Sequence, residues 1–256
     1  MRPFFFNCSY DVGLDLHSGS KASAKNRKRD TLEGMSKSLV ETNNPYLVLF
    51  DCDGTLTNSH GVIVESMQMA FASCGLNEPS DVAVSKVIGL SLKAAIEALS
   101  SDTSCNERIT EAYRQYYSAA EAALELYPGV IETLDTLQRR GYWMGIVTGK
   151  SKPGLIRVLK QFDLDGYFLV LRTADCCLSK PHPAMALECM DELGVLPERT
   201  ALVGDAIFDM QMAASANLRA LGVSFGVESA EALYAEGAVD VVDDFPALLA
   251  HFPPLM

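Results

Sequence analysis

The chain has 256 residues, enough for one large domain or two small ones, and its 48% hydrophobic content is ample for a buried core. The net charge of −12 is uneven: residues 1–44 hold seven Lys/Arg against five Asp/Glu, leaving 14 against 28 for residues 45–256. So acidic a body argues against nucleic acid or anionic membrane as partner, although a local cation can still admit a small anion.

Seven cysteines with no CxxC spacing read as reduced thiols, which points to a cytoplasmic protein. No stretch approaches the ~20 apolar residues of a membrane span, and the apolar run at the amino terminus is too short for a signal peptide. Residues 1–44 show no sustained period, and Lys21 to Asp30 is polar and basic. They read as a disordered extension, with Met35 as an alternative start.

Leu47 to Phe50 is an apolar run of the kind buried on both faces in a parallel sheet, and it ends in Asp51-Cys52-Asp53-Gly54-Thr55. Two residues apart on an extended chain, Asp51 and Asp53 point the same way, while Cys52 turns into the packing. Two adjacent carboxylates repel, so a cation is expected beside them, and magnesium prefers oxygen ligands. Asn58 or Ser59 can cap a helix that runs to about Cys74, where Gly75 ends it. From there to residue 127 the pattern is helical. Between Ile109 and Leu124 the apolar positions recur at helical spacing, and their tyrosine stripe (Tyr113, Tyr116, Tyr117) reads as packing.

Tyr127-Pro128-Gly129 marks a boundary. A helix over 130–140 follows, then a strand over 142–147 that ends in Thr148-Gly149-Lys150. A helix over 153–161 and a strand over 168–171 come next. The loop Ser179-Lys180-Pro181-His182-Pro183 leads into a helix to Leu193, and His182 either contacts an anion or starts that helix. Ala201 to Gly204 is a strand that ends in Asp205. Strands over 218–223 and 239–242, a helix over 229–235 and a last helix at Leu248 complete the chain; His60 and His251 read as surface residues. Strand and helix alternate from 129 onward, which predicts a parallel sheet with crossover helices.

Four polar sets therefore lie at strand ends: Asp51/Asp53, Thr148, Lys180, and Asp205 with Asp209. Their order and types resemble the four motifs of the haloacid dehalogenase-like (HAD) phosphatase superfamily: DxDGT, a Thr after an apolar strand, a Lys before Pro, and GDxxxD. Leu126-Tyr127-Pro128-Gly129-Val130 and the stretch Val203 to Met210 further resemble its phosphoglycolate phosphatase group. The resemblance covers residues 45–250. It implies a Rossmann-like α/β core over 45–61 and 128–256, with an all-helical cap over 62–127.

The resemblance also implies roles. Asp51 would attack phosphorus and form an aspartyl-phosphate, and Asp53 would serve as acid and then base. Lys180 would screen the nucleophile, while Thr148 and the backbone near Gly54, Thr55 and Gly149 would hold phosphoryl oxygens. Mg2+ would be held by Asp51, the Asp53 carbonyl and Asp205, with Asp209 orienting Lys180 or the metal's surroundings.

The implied substrate is a small phosphorylated metabolite like 2-phosphoglycolate, acted on by a monomer or a homodimer. Alternatives on the same core are a β-phosphoglucomutase-like phosphotransferase, a pyrophosphatase, or a non-catalytic ligand-binding protein. Lys93 and Arg108 stand as candidate cap cations for a second anionic group on the substrate. The sequence departs from the common pattern at Asn58, where many relatives carry Asp, and at Ala206, where relatives often carry a hydroxyl or an acid. The latter leaves metal ligation to Asp205, with Asp209 behind it.

Overall fold

A computed structural model describes residues 45–255; the expected tail over 1–44 lies outside the described residues. Eight strands and nine α-helices are described. Strand β1 (Leu47–Phe50) is fully buried, as its unbroken apolar run requires. Beside it lie β4 (Trp143–Thr148) on one flank and β6 (Thr200–Gly204) on the other, both parallel to it. With β5 (Val170–Thr173), β7 (Arg219–Val223) and β8 (Asp240–Val242) they form a six-stranded sheet of order β5-β4-β1-β6-β7-β8. Every pairing within it is parallel.

Alternation along β1 sends its side chains to opposite faces, and each face has its own core. Val48 and Phe50 pack with α5 (Val130–Arg139) and α6 (Lys152–Gln161). Leu47 and Leu49 pack with α7 (Ala184–Leu193) and α8 (Ile207–Ser215). Helix α5 shows why it docks: Val130, Thr133, Leu134 and Leu137, at spacings of three and four, are its buried positions. Helix α9 (Ala230–Ala235) joins β7 to β8.

Four helices separate β1 from α5: α1 (His60–Ser73), α2 (Asp81–Ser85), α3 (Leu92–Leu99) and α4 (Asn106–Ala120). Their buried residues Ile63, Met67, Ile96 and Ile109 extend the same core as Val48 and Phe50. The insertion is rooted in an antiparallel ladder of two-residue strands, β2 (Thr57–Asn58) with β3 (Glu125–Leu126).

Several boundaries shift from the expectation. Asn58 lies in β2, and Ser59, although it precedes α1, makes no capping hydrogen bond with its side chain. The third core strand starts at Val170, because Phe168 instead sets its ring edge-on to Phe50 at 6.3 Å. Leu248 sits in a short 3₁₀ turn, Pro246–Ala250.

Phe50 lies within aromatic contact of both Phe168 and Phe245, with no solvent exposure. Phe50→Ala should lower the unfolding free energy by about 3–5 kcal/mol in urea titrations. A loss below about 1 kcal/mol would contradict its place in the core.

Candidate active site

The three central strands end side by side, and a parallel sheet gathers its polar carboxyl-terminal residues at one edge. Asp51 follows β1, Thr148 closes β4, and Asp205 follows β6. Lys180 enters from the loop after β5, and Asp209 from the first turn of α8. All five are buried.

One cation sits between two of the acids. Lys180 Nζ lies 2.7 Å from Asp51 Oδ1 and 2.6 Å from Asp209 Oδ1. The second oxygen of Asp209 accepts a hydrogen bond from the Ala206 N–H at 3.2 Å, which leaves this carboxylate fully engaged. Asp205 is braced differently: Thr55 donates its hydroxyl to Oδ1 at 2.7 Å, and Val227 N–H donates to Oδ2 at 3.0 Å.

Two glycines let the backbone approach that carboxylate. A Cβ on Gly54, whose φ is +86°, would fall 2.1 Å from Asp205 Oδ2, and one on Gly226 would fall 2.2 Å from its Cβ. Gly54 and Thr55, expected to hold phosphate, each make a bond within the protein. The Gly54 N–H already donates to the Thr57 carbonyl at 2.9 Å, and the Thr55 hydroxyl is spent on Asp205.

Oxygens of Asp51, Asp205 and Asp209 converge within 4.8 Å of one another. Three buried carboxylates beside one ammonium leave a deficit of two positive charges, which fits a hard divalent cation. The strain shows in their acidities. Burial pushes Asp51 up to about 7, against the pull of Lys180. Burial, with Asp51 and Asp209 close by, drives Asp205 well above the carboxylate range. Burial works to lower Lys180, but Asp209 and Asp51 outweigh it and hold its ammonium above the usual range.

Asp53 stands apart from this cluster. Its Oδ2 pairs with Lys150 Nζ at 3.0 Å, and it is not among the acids whose oxygens converge. Lys150 also donates to the Tyr117 hydroxyl at 2.8 Å and lies 4.4 Å from the centre of that ring. The tyrosine stripe is therefore more than packing: Tyr117 and Tyr113, stacked at 5.7 Å, both face the cavity above the acids. Sequence reasoning passed over Lys150 as a site residue. The one available signal was its position directly after Thr148-Gly149.

The cavity measures about 290 Å³ and is lined by Asp51, Asp53, Thr148, Gly149, Lys150 and residues of all four inserted helices. The turn after α2 rests directly on the core. A Cβ on Gly149 would lie 2.3 Å from the Leu90 carbonyl oxygen, so only glycine permits this approach. Of the expected cap cations, Lys93 borders the cavity but is largely in solvent and 3.9 Å from Glu97, and Arg108 does not border it. Arg114 and Arg157 do, and neither was anticipated. His182 resolves as a helix starter, its Nδ1 accepting from the Ala184 N–H at 3.1 Å.

Residues 48–223 match the haloacid dehalogenase-like hydrolase family. The chain belongs to this family. It is 33% identical over 206 residues to the Probable phosphatase IndB of Dickeya dadantii, covering 78% of this chain and 90% of that one. It is 30% identical to Phosphoglycolate phosphatase 1 of Pseudomonas aeruginosa, covering 81% and 80%. A hydrolase from Pseudomonas syringae superposes with a TM-score of 0.74 at 27% identity, over 80% of this chain and 97% of that one.

The raised pKa values of Asp51 and Asp205 predict a pH-dependent response to metal. Between the ordinary carboxylate value of 3.8 and about 7, folded Asp51 keeps a proton that the unfolded chain has released. The unfolded state then binds fewer protons, so metal-free stability falls as pH rises through that window. A divalent ion held by the ionised acids would restore it. The rise in melting temperature on replacing EDTA with Mg2+ should be larger at pH 8 than at pH 5 in calorimetry. An equal or reversed response would refute the assignment of these acids as the metal's ligands.

Proposed function

We propose that the protein is a magnesium-dependent phosphatase that hydrolyses a small phosphorylated metabolite through an aspartyl-phosphate, with 2-phosphoglycolate as the reference ester. The observation that carries this reading is the separate cation beside each aspartate of the Asp51-Cys52-Asp53 turn: Lys180 at Asp51 and Lys150 at Asp53. Both aspartates line the cavity, but each is held by its own lysine, which suits two different tasks.

In this reading Asp51 attacks phosphorus and the P–O bond to the leaving alcohol breaks, with Asp53 giving that oxygen a proton. Asp53 then takes a proton from a water that attacks the aspartyl-phosphate, which releases inorganic phosphate and restores Asp51. Lys180 keeps the nucleophile from repelling the incoming phosphate, and Asp209 holds Lys180 in place. The Thr148 hydroxyl and the backbone at Gly149 receive phosphoryl oxygens. Lys150 and Tyr117 act as positioning residues for Asp53.

Asp51 and Asp205, with the Asp53 carbonyl, would hold Mg2+, which when bound supplies positive charge to the phosphoryl group. The helices over 62–127 serve as a lid on a core made of 45–61 and 128–256, and exclude water from the site. Among the described residues no helix is long and apolar enough to cross a membrane, and six cysteines are free thiols; this supports a reducing, cytoplasmic setting.

The test is phosphate release from small esters with and without Mg2+. Asp51→Asn should lower kcat by roughly a thousandfold or more, and Asp53→Asn nearly as far. Wild-type turnover in Asp51→Asn would eliminate the nucleophile assignment. Lys150→Met should lower kcat about tenfold or more with little change in KM, because it disturbs Asp53 and leaves phosphate binding to Lys180 and Thr148. Partial rescue by Lys150→Arg would separate positioning from loss of fold.

A further inference from the structure

The walls of the cavity bear on the leaving group rather than on the phosphate. Above the acids the surface comes from Ile63, Met67, Val84, Ile88 and Leu92, with the stacked rings of Tyr113 and Tyr117 on one side. This is the surface that an apolar or aromatic body fills well.

Cations on the same walls are already matched or lie in solvent. Lys150 is paired with Asp53, and Arg157 with the buried Glu121 at 2.5 Å. Lys93 is mostly in solvent near Glu97. Arg114 is exposed and shared with a shallow outer hollow beside Glu111 and Gln115. Among the described residues, a carboxylate or second phosphate on the leaving group would therefore meet apolar carbon, Ser91, Ser151 and Asp53, with no buried cation that lacks an acidic partner. Stripping such an anion of water without a partner is strongly unfavourable.

Resting on the phosphatase reading above, we infer that the preferred substrate is a phosphate monoester of an uncharged alcohol with an apolar or aromatic body, in preference to one whose alcohol carries a second anion. Such an ester takes up one water and yields the alcohol and inorganic phosphate, with only the P–O bond broken.

The experiment compares kcat/KM for benzyl phosphate, 2-phosphoglycolate and pyrophosphate with Mg2+, in wild type, Asp51→Asn and Val87→Lys. Benzyl and glycolate esters are both alkyl esters, so the comparison does not reduce to an activated aryl leaving group. Wild type should favour benzyl phosphate by about tenfold or more, the discrimination a pocket of this kind provides. Val87→Lys, which adds a cation to the half-buried wall, should shift the ratio toward 2-phosphoglycolate. Equal or better use of 2-phosphoglycolate or pyrophosphate by wild type would overturn the inference while leaving the phosphatase reading intact. No Asp51-dependent release from any ester would bring down the phosphatase reading, and the inference with it.

Discussion

The site is governed by a charge imbalance that the protein does not relieve by itself. Three buried carboxylates share one buried ammonium, at an edge where three neighbouring strands end. Buried charge is tolerated only when paired and hydrogen-bonded. Much of the surrounding architecture answers that requirement. Thr55 and the Val227 N–H neutralise part of Asp205, the Ala206 N–H holds Asp209, and two glycines clear the space around Asp205. The remaining negative charge is a standing attraction for a divalent ion, and the phosphate of the proposed chemistry could approach only once that charge is offset.

A second centre lies where the inserted helices touch the core. Lys150 belongs to the loop after β4, Tyr117 to α4, and Asp53 to the turn after β1. Their contacts tie the carboxylate proposed as acid and base to a helix outside the sheet. Gly149 adds a direct backbone approach between the same loop and Leu90. The arrangement of the inserted helices and that of Asp53 are thus linked by short, specific contacts.

The sheet was legible because its strands are unbroken apolar runs that end in chemistry, and the residue at each end is fixed by where the run stops. Asp51, Thr148 and Asp205 could be placed on one edge for that reason alone. Lys180 and Asp209 followed from their spacing to those runs and from the family resemblance. What stayed hidden depends on contacts across the fold. Tyr117 and Lys150 meet across 33 residues, and Thr55 reaches Asp205 across 150. Neither meeting leaves a local pattern, so the tyrosine stripe read as packing and the bond from Thr55 to Asp205 could not be foreseen. Strands β2 and β3, at two residues each, are too short for any period to reveal.

Those two short strands have a consequence for how the molecule can vary. They hold the entrance and exit of the insertion side by side, and the Tyr127 N–H adds a bond to the Leu56 carbonyl at 3.0 Å. Once the two ends are clasped, the entropic cost of the segment between them grows only slowly with its length. The core is thus insulated from the size of what is threaded through the clasp. Helices could lengthen, shrink or be exchanged above it while the sheet and its acids remained in register, which makes the insertion an interchangeable module on a fixed chemical base.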